Sequence, residues 1–356
     1  MSARLRTRIC DLFGVEVPIV QTGMGWVAGA RLVAATAEAG GLGILAAATM
    51  RLDELEAAIH KVKARTDRPF GVNLRADQED IEARVNLLIR EGVRVASFAR
   101  APGPEAIRRF KDAGILTMPT VGAVRHAEKV AAWGVDAIIA QGGEGGGHTG
   151  SVPTSLLLPA VCRAVDVPVI GAGGFYDGRG LVAALSYGAE GIAMGTRFLL
   201  TRESTVPDAV KQAYLDTPIT GTVVTTAVDG FPQRVVRTAL IDSLERQGPL
   251  ARLLTAWRSA RALATDSSWF ALIREGLAMR RDAELPLAEL IMAANAPMLT
   301  KAALVEGRLD AGVLPTGQVV GEIDELPTVR ELIDRIMDEA EATLDRLATL
   351  HPREPR

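Results

Sequence analysis

The densest concentration of residues that could do chemistry is Gln141-Gly-Gly-Glu-Gly-Gly-Gly-His148-Thr-Gly150, directly after the apolar run Ala137-Ile138-Ile139-Ala140. Imidazole is the side chain that titrates near neutral pH without help, so His148 is a candidate base or acid. The glycines of 142–147, with Gly146 and Gly147 leading into the histidine, let backbone approach a planar ring and are costly to order without a ligand. Gln141 adds an amide able to hydrogen-bond a ring edge. Of the other histidines, His60 and His126 fall in helical stretches and His351 in the tail, and all three read as structural or surface groups.

A second cluster, Val169-Ile-Gly-Ala-Gly173-Gly174-Phe175, is followed twenty residues later by Ile192-Ala193-Met194-Gly195-Thr196-Arg197. Two successive apolar runs that each end in glycine expose backbone N–H groups and one hydroxyl, the makings of a phosphate cradle. A phosphorylated cofactor is the expectation. Arg234 and Arg237, close after Asp229-Gly-Phe-Pro232, are candidate anchors for substrate phosphates, against the plainer reading of an ordinary charged surface.

Positioning such groups needs a scaffold, and the first two hundred residues supply a regular one. Eight short apolar runs (18–21, 43–46, 70–73, 93–98, 115–119, 137–141, 167–171 and 191–195) alternate with helical segments such as 52–64, 79–91, 104–113 and 124–133. Strand-helix alternation implies a parallel sheet, and eight units predict a closed (β/α)₈ TIM barrel. The competitor is an open doubly wound sheet, but the first turn, Thr22-Gly23-Met24-Gly25-Trp26, lacks the GxGxxG fingerprint such a sheet would carry there. After residue 206 the alternation stops, and helices are expected at 206–214, 246–264 and 286–304, with a Trp/Met-bearing stretch at 269–279. The predicted organisation is a barrel over 1–205, a helical lid or subdomain over 206–312 inserted after strand 8, and a closing loop and amphipathic helix over 313–356.

Composition narrows the function classes. The 40 Lys and Arg are outnumbered by 43 Asp and Glu and aromatics are 4% of residues, so neither a basic stripe nor a stacking platform for nucleic acid is present. No apolar run reaches the ~18 residues of a spanning helix, and the opening MSARLRTRICDLFGVEVP has no signal-peptide pattern; a cytoplasmic protein with no membrane partner is expected. Cys10 and Cys162 are too few for a disulfide framework or thiolate metal cluster, and no metal site is expected. A small-molecule substrate follows, with a homo-oligomer left open.

Taken together, Pro18-Ile-Val-Gln-Thr-Gly-Met24-Gly, Ala39-Gly-Gly-Leu-Gly43, Gly71-Val-Asn73-Leu, the 141–148 loop, Gly173-Gly174 and Ala193-Met-Gly-Thr196 resemble the nitronate monooxygenase (2-nitropropane dioxygenase-like) family. The likeness runs into Gly317-Gln318-Val-Val-Gly321 and Asp324-Glu-Leu-Pro327, so it spans nearly the whole chain. It implies an FMN-dependent barrel in which Thr22, Gly23, Met24, Asn73, Gln141, Gly146, Gly147, Gly173, Gly174, Ala193, Met194, Gly195, Thr196 and Gln318 surround the flavin and His148 is the catalytic base or acid. The chain departs from typical nitronate oxidisers at Gly145, where their loop carries alanine. Val20-Gln-Thr-Gly-Met-Gly-Trp-Val-Ala-Gly-Ala-Arg31, Gly221-Thr-Val-Val-Thr-Thr-Ala-Val-Asp-Gly230 and Met292-Ala-Ala-Asn-Ala-Pro-Met298 are similar to an actinobacterial branch that dehydrogenates steroid-derived indane-carboxyl-CoA thioesters.

Three enzymatic readings follow. In the first, His148 removes the proton next to a thioester carbonyl while FMN accepts hydrogen from the β-carbon. In the second, the same imidazole serves nitronate oxidation with O₂; in the third, NAD(P)H drives reduction of a quinone or enoyl thioester. A barrel that only stores flavin is the non-enzymatic alternative, and it predicts that His148→Ala changes nothing.

Overall fold

The computed structural model describes residues 5–246 and 287–350 of the chain. In chain order its first nine strands are β1 (Ile19–Gln21), β2 (Leu42–Ala46), β3 (Phe70–Arg75), β4 (Val95–Arg100), β5 (Leu116–Val121), β6 (Ile138–Gln141), β7 (Gly147–His148), β8 (Val169–Ala172) and β9 (Gly191–Met194). All but β7 form one closed parallel barrel, in which β9 returns to pair with β1. The eight expected runs are these eight strands, so the fold is a (β/α)₈ TIM barrel. Helices follow the strands as the spacing predicts, among them Leu52–Lys63, Ile81–Glu91, Pro104–Asp112 and Val124–Ala132.

The barrel is filled, not hollow. Val20, Leu42, Ile44, Val95, Met118, Ile139, Ile170 and Ala193 form one buried cluster, joined by Ile9, Cys10 and Phe13 from the short helix Arg8–Phe13. That helix closes the end where the strands begin: the Arg94 guanidinium donates to the Leu12 carbonyl, and the Arg8 guanidinium to the Glu190 carboxylate just ahead of β9. Both cysteines are free thiols, and burial pushes Cys162 up to about 11, away from thiolate chemistry at neutral pH.

The chain divides into two compact units: one comprises residues 1–145, 150–205 and 323–356, and the other 146–149 and 206–322. In the second, β10 (Thr222–Thr225) and β11 (Gln233–Val236) form an antiparallel hairpin, and β7 pairs with β11. A purely helical segment after residue 206 therefore needs correction. Thr222, Val223, Val224, Thr225, Val235 and Val236 are β-branched and favour the pleated form, and Gly230 makes the connecting turn at φ 84°. Helices Asp208–Leu215, Ala239–Arg246 and Leu287–Leu304 accompany the hairpin. The expected helix at 246–264, apart from its first residue, and the 269–279 stretch lie outside the described residues. No described helix is long and apolar enough to cross a membrane.

Candidate active site

At the finishing ends of the strands the interior changes from apolar to polar. Asn73 and Ser97 face each other in register on β3 and β4, and the Asn73 amide donates to Ser97 Oγ at 3.4 Å. Gly23 lies against Asn73 so closely that a Cβ at 23 would stand 2.4 Å from the Asn73 Cβ. Thr22 donates through its N–H and its hydroxyl to the Met194 carbonyl at 3.1 and 3.3 Å. A Cβ at Gly195 would meet Thr22 Oγ1 and Met24 Sδ at 3.2 and 3.4 Å. Thr22, Gly23, Met24, Asn73, Met194 and Gly195 are thus gathered around the ends of β9, β1 and β3, with Ala193 buried below and Thr196 opening the next turn.

On the far side of the rim, the loop after β6 is held tightly despite its glycines. Gly142 N–H donates to the Ala172 carbonyl at 2.9 Å and Gly143 N–H to Val152 at 2.7 Å. The Glu144 carboxylate accepts from the Thr154 backbone N–H at 2.9 Å and from its hydroxyl at 2.7 Å, capping the helix Thr154–Ala164. Glu144 is therefore engaged in structure. Gly173 and Gly174 take left-handed φ values of 90° and 84°, and a Cβ at 173 would press to 3.0 Å on the Gly142 carbonyl and the Gly145 nitrogen.

In the second unit, β7 sets His148 opposite Gln233 on β11, and Thr149 N–H donates to the Pro232 carbonyl at 3.1 Å. His148 Nε2 lies 2.7 Å from Asp229 Oδ2. The imidazole is 65% exposed while the carboxylate is only 10% exposed, so the buried partner orients the accessible one. Asp229 Oδ1 accepts the Phe231 N–H at 3.1 Å, and the Phe231 ring meets the imidazole edge-on at 6.3 Å between centroids. Gly146 is packed so that a Cβ would lie 2.4 Å from the Thr316 carbonyl carbon and 2.5 Å from Gly317 N, next to Gln318. Gly147 lies opposite Arg234, whose guanidinium donates to Thr222 Oγ1 at 3.0 Å. Arg237 stands apart in an ion pair with Asp242 at 3.0 Å.

Asp229 is the partner of His148 that sequence reasoning missed. It lies 81 positions from His148, and its local pattern, Asp-Gly in a turn, reports only the turn. Arg197, adjacent to Thr196, is also not what its position suggests. Its guanidinium is buried against the carbonyls of Leu200 and Glu325, and desolvation brings it down to about 10.

The barrel rim fits a flat phosphorylated group. At Gly174 the nearest atom to a Cβ position is the Glu144 side chain at 3.8 Å, so the backbone there stands open, while Asn73 and Gln141 offer amides. The sequence expectation puts the phosphate end at Gly173-Gly174 and Gly195-Thr196. The helix Gly178–Ser186 cannot take it with its first turn, because Gly178 N–H donates to Glu339 and Gly180 N–H to Asp177.

Comparison with known proteins places the chain in a family. The sequence is 60% identical over 352 residues, covering 98% of this chain and 99% of the relative, to the (3aS,4S,5R,7aS)-5-hydroxy-7a-methyl-1-oxo-octahydro-1H-indene-4-carboxyl-CoA dehydrogenase of Mycobacterium tuberculosis. The enzyme of the same name from Rhodococcus jostii is 58% identical over 348 residues, covering 97% and 99%. FabK of Thermotoga maritima superposes with a TM-score of 0.81 at 35% identity, covering 97% of this chain and 99% of that one. The profile described as nitronate monooxygenase matches residues 6–339, and with these relatives it makes the chain a member of the nitronate monooxygenase family of flavin-dependent oxidoreductases.

Proposed function

We propose that this protein is an FMN-dependent dehydrogenase of a steroid-derived bicyclic indane-carboxyl-CoA thioester, forming a double bond between its α- and β-carbons. The observation that carries this reading is the end-to-end similarity to two dehydrogenases of one such thioester, which extends through the second unit as well as the barrel. Asn73, Gln141, Gly173, Gly174, Gly195 and Thr196 are assigned to holding the flavin, which supplies the two-electron acceptor for hydrogen leaving the β-carbon.

The protein's own part is proton removal. A thioester carbonyl acidifies its α C–H; that bond breaks, a new N–H bond forms on the His148 imidazole, and the electron pair passes into the developing double bond. Asp229, 2.7 Å away, stabilises the imidazolium that results. Both candidate phosphate contacts are already engaged, Arg234 with Thr222 Oγ1 and Arg237 with Asp242.

The test is anaerobic. Mixing the flavin-loaded protein with the indane-carboxyl-CoA is expected to bleach its visible absorption, and propane nitronate is not. His148→Ala is expected to retain bound flavin and lose turnover by roughly 10²–10⁴. Bleaching by nitronate alone would return the chain to nitronate oxidation, and undiminished turnover in the variant would remove His148 from the mechanism.

A further inference from the structure

We infer that Asp229 is a positioning residue that locks His148 in its Nε2–H tautomer, so that Nδ1 is the atom that accepts a proton. The inference rests on the base role proposed above for His148, but its geometry lies wholly within the second unit.

A buried carboxylate can only accept hydrogen bonds when ionised. One Asp229 oxygen is taken by the Phe231 backbone N–H at 3.1 Å, and the other faces His148 Nε2 at 2.7 Å. Nε2 must therefore carry the hydrogen, which leaves the lone pair of the neutral ring on Nδ1. The carboxylate is itself fixed from both sides. Ala227 and Val228 before it, and Val235 after it, are buried in one apolar cluster, and Gly230 N–H closes the turn onto the Thr226 carbonyl at 2.9 Å. The imidazole is fixed by the β7–β11 pairing and by the Phe231 ring at its edge. The nearby cation on β11, Arg234, donates to Thr222 Oγ1.

This arrangement separates a positioning role from a merely structural one. In Asp229→Asn the amide oxygen can still accept from Phe231 N–H and keep the turn, but its NH₂ then faces Nε2. The ring must respond by moving its hydrogen to Nδ1, which removes the accepting lone pair while leaving the fold in place.

Imidazole ¹⁵N–¹H long-range correlation spectra of histidine-labelled protein, recorded at alkaline pH where the ring is neutral, read the tautomer directly. His148→Gln identifies the His148 signals among the four histidines. The expected result is an Nε2–H pattern in the parent and an Nδ1–H pattern in Asp229→Asn, with turnover lowered roughly 10²–10⁴-fold and flavin content unchanged. An Nδ1–H pattern in the parent overturns the inference even if Asp229→Asn fails to fold. So does an Asp229→Asn protein that keeps both the parent pattern and the parent turnover. The tautomer is read without substrate, so a thioester that fails to bleach the flavin would count against the proposed reaction and not against this assignment.

Discussion

Gly142 and Gly145 sit three residues apart in one loop and have opposite reasons to lack a side chain. A Cβ at 142 would stand 2.0 Å from Thr154 Oγ1 and 2.5 Å from its backbone nitrogen, so the loop and the capped helix would have to part. The three atoms nearest a Cβ at 145 all belong to the Gln141 side chain, at 2.7–3.0 Å. Gly142→Ala is expected to lower stability by about 1–3 kcal/mol or more in urea unfolding. Gly145→Ala is expected to displace the Gln141 amide and lose flavin on dialysis. The glycine at 145 thus has a local physical reason. The histidine and the glycines of the site were legible in the sequence because each advertises itself by type. Asp229 was not, since a carboxylate's role depends on which side chain the hairpin brings to it.

At the level of elements, the C-terminal helix Val329–Thr349 belongs to the barrel unit, and its start is written in the sequence. The Thr328 hydroxyl accepts from Glu331 N–H at 3.2 Å, and the Glu331 carboxylate accepts from Thr328 N–H at 2.8 Å, a reciprocal cap. Its packing on the helix Gly178–Ser186 needs the glycine at 178, where a Cβ would come within 2.4 Å of Ala340 N and the Ile336 carbonyl oxygen. Thr328→Ala is expected to cost about 0.5–2 kcal/mol by thermal or urea unfolding. The eight barrel strands were legible for a related reason: each is a short apolar run with a helix-length gap behind it. The β10–β11 hairpin was not, because Gly221-Thr-Val-Val-Thr-Thr-Ala-Val-Asp-Gly230 has no alternating polar face and its second strand starts beyond a seven-residue connection. The helix Arg8–Phe13 also escaped the reading, being only six residues long with three of them buried in the barrel cluster.

For the whole molecule, the path of the chain is the telling feature. It passes between the two compact units four times, and one of its visits to the second unit is only the four residues 146–149. By sequence those residues belong to a barrel loop, whereas by hydrogen bonding they belong to β11, through the His148–Gln233 register and the Thr149 N–H to Pro232 bond. Amide deuterium uptake follows the cooperative unit that must open, not the neighbour in sequence. The Thr149 amide should therefore exchange at the pace of Val236 and the hairpin, and not at that of Ile139 in β6. Uptake at Thr149 that instead tracks β6 would show the four-residue stitch to be loose. If it holds, any ligand that quietens the hairpin quietens the imidazole with it, and the timing of proton transfer becomes a property of the unit that lies outside the barrel.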